Sequence, residues 1–283
     1  MRLLVIGANG FIGSAIVAAA RAAGIDIRGA VRDPDRLTSR FPGVEAFAVD
    51  LAAASAHVPA FWKPALNGID AVIFAAGVLQ PRGRDAAWAI QTRAPDALYQ
   101  ACENAGVRRV VHISAVGVEE ARTEFAKSKL TADQALMARD LDWTVLRPAV
   151  VVGEGSYGGT SMLRAISAFP WVVPVIRDGT TELDFIHNAD LAKSVLQLIG
   201  SREGIGKILE PASAERLTLA DAVRAYRRWL GLRNGPVIGV PLWFAKALAR
   251  IGDVARLDPI VTTAITQFET RLTGDPAGFT ATT

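Results

Sequence analysis

The feature that most constrains this chain is the stretch Gly7-Ala8-Asn9-Gly10-Phe11-Ile12-Gly13, which follows directly on the apolar run Arg2 to Ile6 and leads into a helical pattern from Ile12 to Ala23. Strand, glycine loop and helix in that order imply a particular geometry. Gly7 permits a sharp exit from the strand, Gly10 lets backbone approach a ligand with no Cβ in the way, and Gly13 lets the helix lie close to the sheet. Free N–H groups at the helix start then face whatever lies over the loop, and they suit an anion such as a pyrophosphate.

The same alternation continues along the first half. Short apolar runs suited to strands buried on both faces occur at Arg2 to Ile6, Ile25 to Val31, Val44 to Val49, Ala71 to Ala75, Arg109 to Ser114 and Trp143 to Val151. Helices are expected at Ile12 to Ala23, after Pro34, at His57 to Leu66, at Arg84 to Ala105 and at Phe125 to Ala138. Pro95 falls inside the fourth of these and predicts a kink or break near Arg93. Strand and helix alternating in this way predict an α/β chain with a doubly wound parallel sheet.

Beyond Val152 the rhythm changes. Residues 1–152 are expected to form the first domain, with 180–200 rejoining it through Leu183 to Ile186 and Asn188 to Ile199. Residues 153–179 and 201–283 are left for a small C-terminal unit that would bind substrate. In it, Thr218-x-x-Asp221 resembles a capping box, and Pro241 can start a helix to Ile251. Phe169 to Ile176 reads as a buried connection, with an exposed membrane or partner patch as the alternative. Thr273 to Thr283 are small, polar and turn-rich, and are expected to fray.

Composition excludes several classes. Hydrophobic residues make up 51% and mean hydropathy is +0.26, too apolar for a disordered chain. The net charge of +3 is not gathered into blocks, so nucleic acid is not an expected partner. The single cysteine, Cys102, rules out an internal disulfide and reads as a core residue; no metal site is expected. No apolar run approaches the ~20 residues of a membrane span. A cytoplasmic protein is expected, or a membrane-associated one if the chain is a fragment.

The glycine spacing, with Ala75-Ala76-Gly77, Val110-Val111-His112-Ile113-Ser114, Leu146-Arg147-Pro148 and Phe185-Ile186-His187-Asn188-Ala189-Asp190, resembles the short-chain dehydrogenase/reductase superfamily. The resemblance is closest to its extended and atypical members, those like NAD-dependent epimerases/dehydratases and complex I accessory subunits. It covers about the first 200 residues well and the remainder loosely. It implies a Rossmann-type fold and an oxidoreductase or epimerase-like function. Gly7, Gly10 and Gly13 would lie at the pyrophosphate, Asp50 and Leu51 at adenine and Lys129 on the nicotinamide ribose, with Asn9, Phe11, Ile12, Ala75, Ala76 and Gly77 also on the cofactor. Arg32, at the end of the second strand, suits the 2′-phosphate of NADP(H) by charge and bidentate geometry. NAD(H) remains the alternative, with Asp33 on the ribose.

The resemblance also implies a tyrosine and, four residues later, a lysine for proton transfer. Here the pair reads Phe125 and Lys129, so the phenol is missing. Ser114, or Ala115 in its place, would stand beside the substrate oxygen. Tyr157, His187 or a water could supply the proton, although Tyr157 and His187 read more simply as loop residues, His112 as a core histidine and His57 as the start of a surface helix. The loops after the strands offer Val78, Leu79, Val116, Val118, Val150 and Val151, so a small apolar carbonyl or quinone-like substrate is expected. A cofactor-binding sensor or assembly subunit without turnover is the alternative, with a membrane or protein partner reached through the C-terminal unit.

Overall fold

The computed structural model describes residues 1–79, 84–120, 122–155, 159–247 and 272–280. Its first half runs β1 (Arg2–Ile6), α1 (Phe11–Ala22), β2 (Asp26–Val31), α2 (Pro34–Arg40), β3 (Glu45–Ala48), α3 (Lys63–Leu66), β4 (Ala71–Phe74), α4 (Arg84–Trp88), α5 (Ala94–Ala105), β5 (Arg109–Ile113), α6 (Glu124–Met137) and β6 (Asp142–Leu146). The second half adds β7 (Val150–Val152), α7 (Gly159–Ser167), β8 (Val173–Ile176), β9 (Glu182–His187), α8 (Asn188–Gly200), β10 (Lys207–Leu209), β11 (Arg216–Thr218), α9 (Leu219–Trp229) and β12 (Val237–Val240).

Seven strands form one parallel sheet in the order β10-β6-β5-β4-β1-β2-β3. Such a sheet must be covered on both faces. On one face α1 and α8 bury Ile16, Val17, Leu191 and Val195 over Leu3, Val5 and Ile73. On the other, Leu98, Tyr99, Cys102 and Leu136 pack with Trp62 over Leu4, Ile6, Val72 and Val110. A second core lies outside the sheet, where Met162, Leu163, Val173, Val175 and Val223 gather α7, β8 and α9. Cys102 is a free, buried thiol, as its apolar surroundings imply.

Several elements depart from the sequence expectation for local reasons. The long strand expected from Trp143 to Val151 is two. It breaks at Arg147-Pro148-Ala149, because Pro148 has no N–H for a ladder, and β7 joins β9 and β11 in a separate three-stranded sheet. The helix expected from His57 to Leu66 is cut by prolines into two 3₁₀ turns, Ala54–His57 and Pro59–Trp62, and the single turn α3. Between α4 and α5 lies a π-helical turn, Ala89–Arg93, with Pro95 in the first turn of α5. That is the break foreseen near Arg93: Pro95 has no N–H to offer the Gln91 carbonyl four residues earlier.

Beyond residue 200 the chain returns to the main sheet. Residues 207–209, placed by the sequence in the second unit, form β10 and pair with Thr144 to Leu146 of β6. The buried connection expected from Phe169 to Ile176 is so only in part. Val173 and Val175 are buried, but Phe169 and Trp171 are exposed. The tail expected to fray carries a short helix, Pro276–Thr280, because Phe279 is buried in the same core as α1 and α8. Thr218 caps α9, accepting a hydrogen bond from the Asp221 amide at 3.2 Å. The helix expected after Pro241 is present at 242–247, and Ile251 lies outside the described residues. Among the described residues no helix is long and apolar enough to cross a membrane.

Candidate functional site

Strand order reverses between β1 and β4, and ligands of open parallel sheets bind where such a reversal leaves a crevice at the carboxyl ends. A cleft of about 1200 Å³ opens there. Gly7 leaves β1 with φ +81°, a conformation that side chains resist, and its amide is tied to the Ala30 carbonyl at 2.9 Å. Gly13 is buried behind the loop rather than on the cleft wall, and a Cβ there would run into the Gly7 carbonyl. α1 then starts at Gly10 with no side-chain cap and no acidic residue in its first turn. Its amides and its positive dipole end are therefore left for an anion. Beside it, Asn9 donates its amide to the Asp33 carbonyl at 2.8 Å, while its Oδ1 is buried with no partner. An orphaned acceptor at this position fits a ligand that brings a donor.

The end of β2 turns basic. Arg32, Arg36 and Arg40 line the cleft, as do Asp50 and Leu51. Asp33, the acidic alternative for a ribose, does not line the cleft, and its Oδ1 caps α2, accepting from the Arg36 amide at 3.1 Å. Asp50 likewise accepts from the Ala52 amide at 3.0 Å.

Across the cleft, Phe11, Ile12, Ala75, Ala76, Gly77, Val78, Val116, Ser114, Phe125, Lys129 and His187 all line the same space. Ala115 lines it too, so lining does not choose between Ala115 and Ser114. His187 caps α8, its Nδ1 accepting from the Ala189 amide at 3.3 Å. Tyr157 lies outside the described residues. Val118 is buried and does not reach the wall.

Lys129 is 6% exposed and donates its Nζ to the Ile113 carbonyl at 2.7 Å. Burial pushes its ammonium down to about 8, with Asp133 opposing. A Cβ on Gly77 would lie 3.4 Å from this Nζ and 3.3 Å from Oε1 of Gln91, so Gly77 is where cleft, lysine and amide meet. Gln91 sits in the π-helical turn, where its side chain accepts from the Val78 amide at 3.0 Å and donates to Ser128 Oγ at 2.8 Å. Phe125 turns its ring partly into the second core instead of offering a hydroxyl.

Behind Ser114 lies a buried polar chain that sequence reasoning missed. Ser114 Oγ donates to Asp133 Oδ2 at 3.0 Å, and Arg147 Nε donates to the same oxygen at 3.1 Å before reaching Glu119 at 2.8 Å. Burial raises the Asp133 carboxyl above its ordinary range, while Arg147 works against that shift. His112 Nε2 is 3.4 Å from Asp133 Oδ1 without a hydrogen bond, and His112 Nδ1 lies 2.6 Å from the Tyr99 hydroxyl. Burial, then the charges of Lys129 and Arg147, hold His112 well below its ordinary pKa and so neutral. It is the core histidine expected. His57 is half-buried against the Leu51 carbonyl. The helical spacing Phe125, Lys129, Asp133 could have pointed to Asp133, since residues four apart share a face.

The model of a family described as NAD(P)H-binding matches residues 7–170. The chain is 28% identical over 204 residues to the uncharacterized sugar epimerase YhfK of Bacillus subtilis, covering 69% of this chain and 86% of that protein. It is 26% identical over 209 residues to sterol demethylase protein B of Methylococcus capsulatus, covering 66% of this chain and 58% of that protein. Among solved structures, UDP-glucose 4-epimerase of Thermus thermophilus in complex with NAD superposes with a TM-score of 0.68 at 20% identity, over 85% of this chain and 86% of that one. The structure of gox2253 does so with a TM-score of 0.75 at 19% identity, over 99% and 91%. These two likenesses concern the fold.

Proposed function

The chain belongs to the NAD(P)H-binding family and is an atypical member of the short-chain dehydrogenase/reductase superfamily, and from that premise we propose that it is an NADP(H)-dependent oxidoreductase or epimerase-like enzyme for an apolar carbonyl or quinone-like substrate. One observation carries the cofactor reading: the glycine loop and uncapped α1 open onto a cleft whose far end is lined by Arg32, Arg36 and Arg40 but not by Asp33. The loop would hold the pyrophosphate, the arginines a 2′-phosphate, Asp50 and Leu51 the adenine, and Lys129 the nicotinamide ribose. A ribose without that phosphate leaves the guanidinium groups unused, which supports NADP(H) over NAD(H).

When bound, the nicotinamide supplies or accepts a hydride. The chain's own residues then handle the proton. Lys129, its ammonium pushed down to about 8, is a cleft-lining acid near neutrality that does not need the missing phenol. Ser114, whose hydroxyl proton goes to Asp133, would offer its oxygen as an acceptor for a substrate hydroxyl at the cleft wall. Phe125 lines the wall and packs partly against the second core. Val78, Leu79, Val116, Val150 and Val151 line the substrate side, which supports an apolar ligand over a sugar nucleotide. Of the two relatives, the one named for a sterol fits this lining better than the one named for a sugar.

Phe125 favours a second reading, a sensor or assembly subunit that binds cofactor without turning it over. One experiment separates the readings. NADPH and NADH are titrated calorimetrically into the full chain and its Arg32→Ala variant, and NADPH oxidation is followed with a panel of carbonyls and quinones. The variant should lose about tenfold or more in NADPH affinity, the worth of a charge-assisted contact, and little for NADH. Equal loss for both would count against the 2′-phosphate assignment. Tight binding without oxidation would favour the sensor, and no binding would sink both.

A further inference from the structure

The second unit displays its aromatic residues outward. Trp171 is 84% exposed, Trp243 72%, Trp229 64% and Phe169 55%, with Leu230, Leu232, Ile238 and Phe244 beside them in sequence. Among the described residues, the other exposed large hydrophobic side chains are only Met1, Val58 and Ile208. Soluble surfaces do not ordinarily concentrate apolar rings in this way.

The display is held in place. Arg227 is buried, and its Nη1 donates to the carbonyls of Ser167 at 3.0 Å, Phe169 at 2.5 Å and Val172 at 3.4 Å, while its Nε and Nη2 donate to the Arg233 carbonyl at 3.2 and 2.6 Å. One guanidinium thus clips the turn carrying Phe169 and Trp171 to the loop carrying Leu230 and Leu232. Trp171 is held at φ +63°, a backbone region that a large side chain avoids. Ile238 pairs with Pro174 across β12 and β8, in register with the buried Val173 and Val175 but turned the other way.

The exposed charges next to these rings in the chain include Arg228 beside Trp229 and Arg233 beside Leu232. Arg224 is balanced by Asp221 at 3.3 Å and Arg227 is buried, so the exposed basic groups that α9 and the following loop add here are Arg228 and Arg233. A second copy placed on this face would bring the same positive charge to the contact and be repelled. Rings that stand proud of the surface, with arginine beside them, match a plane with apolar depth and an anionic surface.

We propose that this face docks on an anionic lipid bilayer, with Trp171, Phe169 and Trp229 entering the interface and Arg228 and Arg233 at the level of the phosphates. The test is co-sedimentation of the full chain with vesicles of phosphatidylcholine alone or mixed with phosphatidylglycerol, alongside the tryptophan emission spectrum. Binding should require phosphatidylglycerol, weaken with salt and shift the emission to the blue. The Trp171→Ala/Trp229→Ala and Arg228→Glu/Arg233→Glu variants should each lose about tenfold or more in partitioning. Their far-ultraviolet circular dichroism and NADPH affinity should stay unchanged, which separates lost docking from lost folding. Equal binding to both vesicle types, or binding indifferent to the variants, would overturn the proposal. So would absence of vesicle binding; a dimer in light scattering that the variants break would then make the face a protein interface.

Discussion

Lys129 carries its charge where water barely reaches it, and that sets a pH dependence with a definite sign. Its pKa in the fold is about 8, against 10.5 in a model peptide. Between those values the unfolded chain keeps a proton that the folded chain has released, so raising pH across this window stabilises the fold. Below about 8 both states are protonated and the desolvation cost is constant. In function the sign is opposite: a lysine that must give a proton is lost above about 8, so NADPH oxidation should fall there. Denaturant midpoints and rates measured from pH 7 to 10 on wild type and Lys129→Met check both, since the variant should lack this stability rise and the rate limb. The sequence made Lys129 legible through its spacing from Phe125. It did not reveal Asp133, Arg147 or Gln91, because their contacts run between α6, the residues just after β5 and β6, and the π-helical turn, which are brought together only by the folded sheet.

At the scale of elements, the junction of β1 and α1 depends on contact between two glycines. A methyl on Gly13 would meet the Gly7 carbonyl, and backbone there cannot yield as a side chain tip can. Gly13→Ala should cost roughly 1–3 kcal/mol, as overpacking does, and lower NADPH affinity at least about tenfold by shifting the start of α1. Thermal melts with and without NADPH would show it; a variant with wild-type melting and affinity would contradict the geometry. Strands β1 to β5 and helices α1, α2 and α6 were readable because periodicity and turn residues are local signals. The break at Pro148 was missed because the apolar run continues through it into a different sheet. Phe279 was missed because a single apolar residue in a polar tail has no period to betray it.

At the scale of the whole molecule, the sheet and the outer core are interleaved and not strung in series. The chain leaves the sheet after β6, sends α8 back against α1, closes the sheet edge with β10 and returns once more to bury Phe279. Asp184 of β9 anchors this last return, accepting from Arg216 at 2.8 and 3.1 Å and from the Gly274 amide at 2.9 Å. A fragment ending at residue 200 should therefore show no cooperative melt and no NADPH binding, although it keeps the whole glycine loop. A soluble monomeric fragment with full affinity would refute that dependence. The edge of β6 also has a consequence for synthesis. Emerging amino end first, a nascent chain carries β6 as an open template for stray pairing until residues 207–209 clear the ribosome, with α9 and β12 of the outer core still to be made. The capping strand comes late, so the chain's most vulnerable moment comes before its own synthesis is complete.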